Sequence, residues 1–199
     1  MNKKDQTTQT YNQKAKEFAK KFDSIRPRTS YIEEAFSYIK KENPKILEIG
    51  CGNGRDALEI LKKTDDYLGI DISEELIKMA KEKVPDADFR VADVVNLEFP
   101  ENLDIVIAFA SLIHVDKDEF KSILNKIYNA LNVSGVIYLS LKYSIKYQEL
   151  TQKDEFGSRT YYHYSKEDIG ELASRFSIVK EEIEEIRDTK WLEVILQKK

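Results

Sequence analysis

Apolar positions along the chain follow two rhythms. Over the first 43 residues they recur at helical spacing: Tyr11, Ala15, Phe18 and Phe22 follow one another at four, three and four residues and line one face of a helix. Pro27 interrupts this segment. A second helix is expected after it, with Ile32, Phe36 and Ile39 as its stripe and Ser30 and Glu33 at capping-box spacing. From Lys45 onward, short apolar runs take over at residues 46–49, 67–70, 89–92, 105–109 and 136–139. Between them, amphipathic helices are expected to begin near Asn53, at Ser73 and at Asp116. In the last of these, Phe120, Ile123, Leu124, Ile127 and Leu131 share a face. Strands this apolar, alternating with helices, make a parallel sheet covered on both sides.

The end of the chain departs from that alternation. A helix from Ser165 precedes two strand-like runs, 177–186 and 190–197, joined by Arg187-Asp188-Thr189. So short a link permits only antiparallel pairing. The expected fold is therefore α/β: a doubly wound, mostly parallel seven-stranded sheet with an antiparallel C-terminal hairpin. One domain over 1–199 is expected. It divides into an N-terminal helical lid or cap (1–43), a core (44–142), an insertion without clear periodicity (143–164), and the C-terminal helix and hairpin (165–199).

With 199 residues, 41% hydrophobic and 34% charged, the chain can bury a core without metal or disulfide staples. Its one cysteine, Cys51, has no internal partner, which agrees with a reducing compartment. No apolar run is long enough to span a membrane, and the N-terminus opens into polar sequence without a signal-peptide core, so a cytoplasmic location without membrane association is expected. The net charge of -4 gives no global attraction to phosphate backbones. Lysines and arginines before residue 30 and the glutamates at 181–185 read as solvated faces.

The chemistry concentrates in Glu48-Ile49-Gly50-Cys51-Gly52-Asn53-Gly54, an apolar strand running into a glycine-rich turn. Glycines there permit left-handed backbone and close approach of a nucleotide-like ligand. The next strand ends in Asp71, 17 positions after Gly54, where a carboxylate can accept from both hydroxyls of an adenosine ribose. Asp93 closes the following run. A nicotinamide fingerprint would put its third glycine where Arg55 stands, so a dehydrogenase is disfavoured on spacing.

Taken in order, the glycine segment, Asp71, Asp93 and the run Asp104-Ile105-Val106-Ile107-Ala108-Phe109 resemble the motifs of class I S-adenosylmethionine-dependent methyltransferases, over about residues 45–142. The resemblance implies a Rossmann-like methyltransferase fold and S-adenosyl-L-methionine as cofactor. It further implies that Glu48, Gly50, Cys51, Gly52, Asn53 and Gly54 hold the methionine part. Asp71 and Ile72 would meet the ribose, Asp93 and Val94 the adenine, and Phe109 and Ala110 the amino group.

The methyl acceptor is not specified by these motifs. His114 follows the fourth strand at the active-site edge, where a general base is useful only if the acceptor must lose a proton. Tyr11, Lys142, Tyr161, Tyr162 and His163 are candidate acceptor-binding residues, and no metal ligands stand out. The Asn/Asp-Pro-Pro-aromatic turn associated with amino-group methylation of DNA is replaced by Phe109-Ala110-Ser111-Leu112, and Cys51 lies inside the glycine loop. These features favour O- or N-methylation of a small molecule by a monomer or homodimer, with nucleic acid disfavoured as a partner. RNA or protein methylation, and a catalytically silent cofactor-binding partner, are the alternatives.

Overall fold

In the computed structural model, residues 2–199 are described. Met1, the first residue of the polar N-terminus, lies outside them. Helices α1 (Lys3–Gln13), α2 (Ala15–Asp23) and α3 (Thr29–Ser37) precede strand β1 (Ile46–Ile49). The single N-terminal helix expected from the periodicity is thus two, separated at Lys14, with Tyr11 on the first and Phe18 and Phe22 on the second. The expected Ser30 cap does not form. Arg28 occupies the N-cap of α3 without a side-chain bond, and Asp56 accepts from the Arg28 backbone N–H at 3.0 Å instead.

The doubly wound core follows. Helix α4 (Ala57–Ile60) is a single turn starting four residues after Asn53, because turns occupy the intervening positions. After it come β2 (Tyr67–Asp71), α5 (Glu74–Lys83), β3 (Asp88–Val91), β4 (Leu103–Phe109), α6 (Lys117–Ala130) and β5 (Leu131–Tyr143). The expected caps are in place here: Ser73 accepts from Leu76 N–H, and Asp116 accepts from Asp118 and Glu119 N–H. Strands β1 to β5 pair in parallel in the order β3-β2-β1-β4-β5.

The 143–164 segment is ordered as a hairpin of β6 (Gln148–Asp154) and β7 (Gly157–Tyr164), and helix α7 (Lys166–Leu172) starts at a Ser165–Asp168 capping box. Strands β8 (Phe176–Ile186) and β9 (Thr189–Lys198) form the C-terminal hairpin. Its turn is the two residues Arg187 and Asp188, both at positive φ (50° and 61°), and Thr189 already pairs with Ile186. Among the described residues the sheet therefore carries nine strands, two more than the apolar runs suggested.

Side-chain alternation shows why both faces are apolar. Val106, Ala108, Ile137, Leu139 and Leu141 pack with α6 and α7, whereas Ile105, Ile107, Val136 and Tyr138 pack with α3, α4 and α5. Strand β9 pairs with β5 over 136–142 on one edge, and β4 uses the other edge up to Ser140. Lys142 pairs with Trp191 of β9 and also with His163 of β7. Since a strand has two edges, β7 must continue the β4 side and pass beyond the end of β4, above the Leu112–His114 turn. That crossing encloses the carboxyl ends of the strands.

Candidate functional site

The turn after β1 is held from below by β2. Gly50 and Cys51 N–H donate to the Ile70 carbonyl at 2.7 and 3.0 Å, and Gly52 N–H donates to Asp71 Oδ2 at 3.0 Å. The other Asp71 oxygen accepts from Ser73 N–H at 2.8 Å, while Ser73 itself caps α5. Asp71 thus fastens loop to helix while still lining the cavity, and burial raises its carboxyl above the ordinary range against these two donors.

The glycines differ in purpose. Gly50, at φ +76°, has Ser111 so close that an added Cβ would lie 2.2 Å from Ser111 Cβ, so only glycine lets the loop meet the end of β4. A Cβ on Gly54 would instead press on Ala80 and Phe89, which makes it a packing glycine between loop and α5. Gly54 and Glu48 do not line the cavity. Glu48 is buried, accepts from Tyr67 Oη at 2.5 Å, and is pushed up to about 7 by burial and the nearby Asp56.

The cavity, of about 610 Å³, opens between this loop and two covers. That volume lies in the range of small-molecule sites. One group of lining residues, with Gly52, Asp71, Ile72, Asp93 and Val94, is roofed by Thr7, Thr8 and Tyr11 of α1. Asp93 accepts from Val95 N–H and Asn96, and it pairs with Lys4 of α1. The other group gathers at the ends of β4, β5 and β9, with Phe109, Ser140, Lys142, Trp191 and Glu193. Ala110 joins them at φ 55°, a costly conformation for alanine that the Ala110 N–H to Ser140 carbonyl bond (3.0 Å) helps to hold. The Ser111 hydroxyl is buried in the same wall without a partner.

His114 is fixed at both nitrogens: Nδ1 lies 2.6 Å from the Thr160 carbonyl and Nε2 2.9 Å from Tyr11 Oη. Burial pulls it down to about 4, so the ring is neutral at pH 7. A carbonyl can only accept, so Nδ1 carries the proton and Nε2 accepts from Tyr11. Any base role for His114 therefore requires Tyr11 to yield its place.

Of the sequence candidates for the acceptor, Tyr11, Lys142 and Tyr161 line the cavity, and Tyr162 and His163 do not. Tyr162 points to the opposite face of β7 and stacks on Tyr147, and His163 leaves Nε2 buried without a partner. Among the lining residues that the sequence motifs do not mark are Arg159, Trp191 and Glu193. Glu193 had a signal, as the one acid in the apolar run Trp191-Leu192-Glu193-Val194-Ile195-Leu196. It is 1% exposed, accepts from Ser140 Oγ at 2.6 Å, leaves Oε2 without a partner and is pushed up to about 7 by burial. Among the described residues, no group of three or more His, Cys, Asp or Glu could hold a metal, and no helix is long and apolar enough to cross a membrane.

A glycine loop at the carboxyl end of β1, an acid ending β2 and a sheet closed by an antiparallel hairpin define a class I adenosyl-cofactor fold. The chain matches the family described as methyltransferase domain over residues 46–135, just under half of its length. It is 30% identical over 134 residues to malonyl-[acyl-carrier protein] O-methyltransferase 1 of Ilyobacter polytropus, covering 65% of this chain and 44% of that protein. It is 33% identical over 116 residues to ribosomal RNA small subunit methyltransferase A of Mycoplasmopsis synoviae, covering 56% and 43%. The chain thus spans less than half the length of these relatives. In fold it is similar to magnesium protoporphyrin IX methyltransferase from Synechocystis PCC 6803, with a TM-score of 0.77 at 14% identity over 100% of both chains.

Proposed function

We propose that the chain is an S-adenosylmethionine-dependent methyltransferase that modifies an O or N nucleophile of a small molecule. The observation that carries this reading is one continuous cavity in which the glycine loop and Asp71 share space with a second group of residues at the ends of β4, β5 and β9, so that two reactants can meet. One solved neighbour, the 1,6-didemethyltoxoflavin-N1-methyltransferase of Burkholderia thailandensis, holds 1,6-didemethyltoxoflavin together with S-adenosylhomocysteine. A small-molecule acceptor of that kind fits an enclosed site of this size.

The residues present suit the cofactor. Asp71 keeps acceptor capacity for the ribose hydroxyls, the unpartnered Ser111 hydroxyl suits a polar group beside the loop, and the Gly50–Ser111 approach leaves the main chain open to a ligand. Val94 and Asp93 are assigned to the adenine, and Cys51, Gly52, Asn53, Phe109 and Ala110 to the methionine part. S-adenosylmethionine supplies an electrophilic methyl group whose leaving thioether needs no protonation. The chain's contribution is then to align the acceptor and exclude water, with α1 and β7 as covers.

Calorimetry with S-adenosylmethionine and S-adenosylhomocysteine tests this reading. Both are expected to bind, and Asp71→Ala is expected to weaken binding by at least about tenfold through loss of a charge-assisted bond. Absence of binding in the unaltered chain refutes the proposal, and binding without transfer of labelled methyl into fractionated cell extract favours a silent binding partner.

A further inference from the structure

Several cations around the cavity already face an acid. Arg28 and Arg55 both pair with Asp56, at 3.1 and 2.5 Å, and Lys4 pairs with Asp93. Among the described residues, Lys142 has no such partner, and Arg159 has one only in the exposed Asp154. Lys142 is fixed at the end of β5 by strands on both edges, and its Nζ lies 4.6 Å from the Tyr161 ring centre and 5.7 Å from that of Trp191. No carboxylate of the described residues pairs with it. Burial and the neighbouring cations Arg159 and Lys21 depress its pKa. Arg159 is 6% exposed, its guanidinium stands 5.0–5.8 Å from the rings of Tyr11, Phe18, Phe156 and Tyr161, and its Nε has no partner. Only Asp154, itself half-exposed, answers its charge.

Two cations from adjacent strands therefore converge on one tyrosine ring with less negative charge than they need. Holding like charges together away from water is unfavourable, and an anion between them offsets the repulsion and gives the unpartnered Arg159 Nε an acceptor. The flat walls of Tyr161 and Trp191 suit an aromatic ring beside that anion. Resting on the methyltransferase reading above, we infer that Lys142 and Arg159 form an anion-binding wall of the acceptor subsite, and that the methyl acceptor is a small aromatic carboxylate. The methionine carboxylate of the cofactor is the rival occupant, so the test is made with the cofactor position filled.

Benzoate is titrated by calorimetry into protein saturated with S-adenosylhomocysteine, beside benzyl alcohol and inorganic phosphate. Benzoate is expected to bind at least about tenfold more tightly than the alcohol, and Lys142→Met to weaken it by a similar factor. Lys142→Arg should retain binding, and S-adenosylhomocysteine affinity should change less than about twofold in either variant. Displacement of benzoate by S-adenosylhomocysteine, equal binding by Lys142→Met, or tighter binding of phosphate than of benzoate would each overturn the inference. If benzoate binds through Lys142 while S-adenosylhomocysteine does not bind at all, the anion wall stands and the methyltransferase reading fails.

Discussion

Replacing Glu193 by Gln should make folding stability depend on pH in a predictable direction. Glu193 sits on the inner face of β9, 1% exposed, with Ser140 Oγ as its one hydrogen-bond donor and with its carboxyl raised from the ordinary 4.5 to about 7 by burial. Below about pH 4 the group is neutral in folded and unfolded chains alike and costs nothing. Between about 4.5 and 7 the unfolded chain releases its proton while the folded chain keeps it, so stability falls with rising pH by about 1.4 kcal/mol per unit. Above about pH 8 the loss levels off near 3 kcal/mol. Glutamine keeps a carbonyl oxygen for Ser140 and has no proton to lose. Urea unfolding followed by circular dichroism should show the stability advantage of Glu193→Gln growing by about 2.5 kcal/mol between pH 5 and pH 8. Glu48, also raised to about 7, is present in both proteins and cancels in the difference. Parallel stability profiles for the two proteins over that interval would refute the reasoning.

Tyr11→Phe removes the donor to His114 Nε2 and leaves a buried acceptor unsatisfied, a loss of about 1–3 kcal/mol. Hydrogen exchange should report it as reduced protection of α1 and β7, and unchanged exchange there would show that Tyr11 does not hold the cover down. Gly50→Ala forces a methyl group onto Ser111 at a left-handed position and should abolish S-adenosylhomocysteine binding and lower Tm. Gly170→Ala is its control: nothing lies within 4 Å of an added Cβ inside α7, so Tm should rise, in keeping with about 0.5–1 kcal/mol of helix propensity. A stabilised Gly50→Ala protein would mean that the loop does not need that close approach.

The parts of the fold that could be read directly are those where one force dominates. Strands β1, β4 and the 135–141 part of β5 are buried on both faces and therefore mostly apolar, and Ser73, Asp116 and Ser165 cap helices through local bonds. The β6–β7 hairpin was illegible because β6 is exposed throughout and carries no alternation, and its partner β7 buries tyrosines on both faces. The helix near Asn53 was over-read, since the turns that shape the glycine loop continue to Asp56. In the site, the glycine segment and Asp71 announce themselves by order along the chain. Arg159 does not, because what distinguishes it is a missing partner in three dimensions. Tyr162 and His163 were attractive as polar aromatics, yet strand alternation turns Tyr162 away and the cavity stops short of His163.

The contact between α1 and β7 has a mechanical consequence. Thr10 Oγ1 donates to the Ser158 carbonyl at 3.0 Å, Thr160 N–H donates to Thr7 Oγ1 at 3.1 Å, and an added Cβ on Gly157 would strike Thr10. The helix roofing Asp71 and the strand carrying Arg159 and Tyr161 are thus riveted into one plate. Lifting α1 away from Asp71 therefore means breaking the Thr7 and Thr10 bonds to β7 together with the Tyr11–His114 bond. The two halves of the cavity are thus covered by one connected unit, anchored in the sheet through β7.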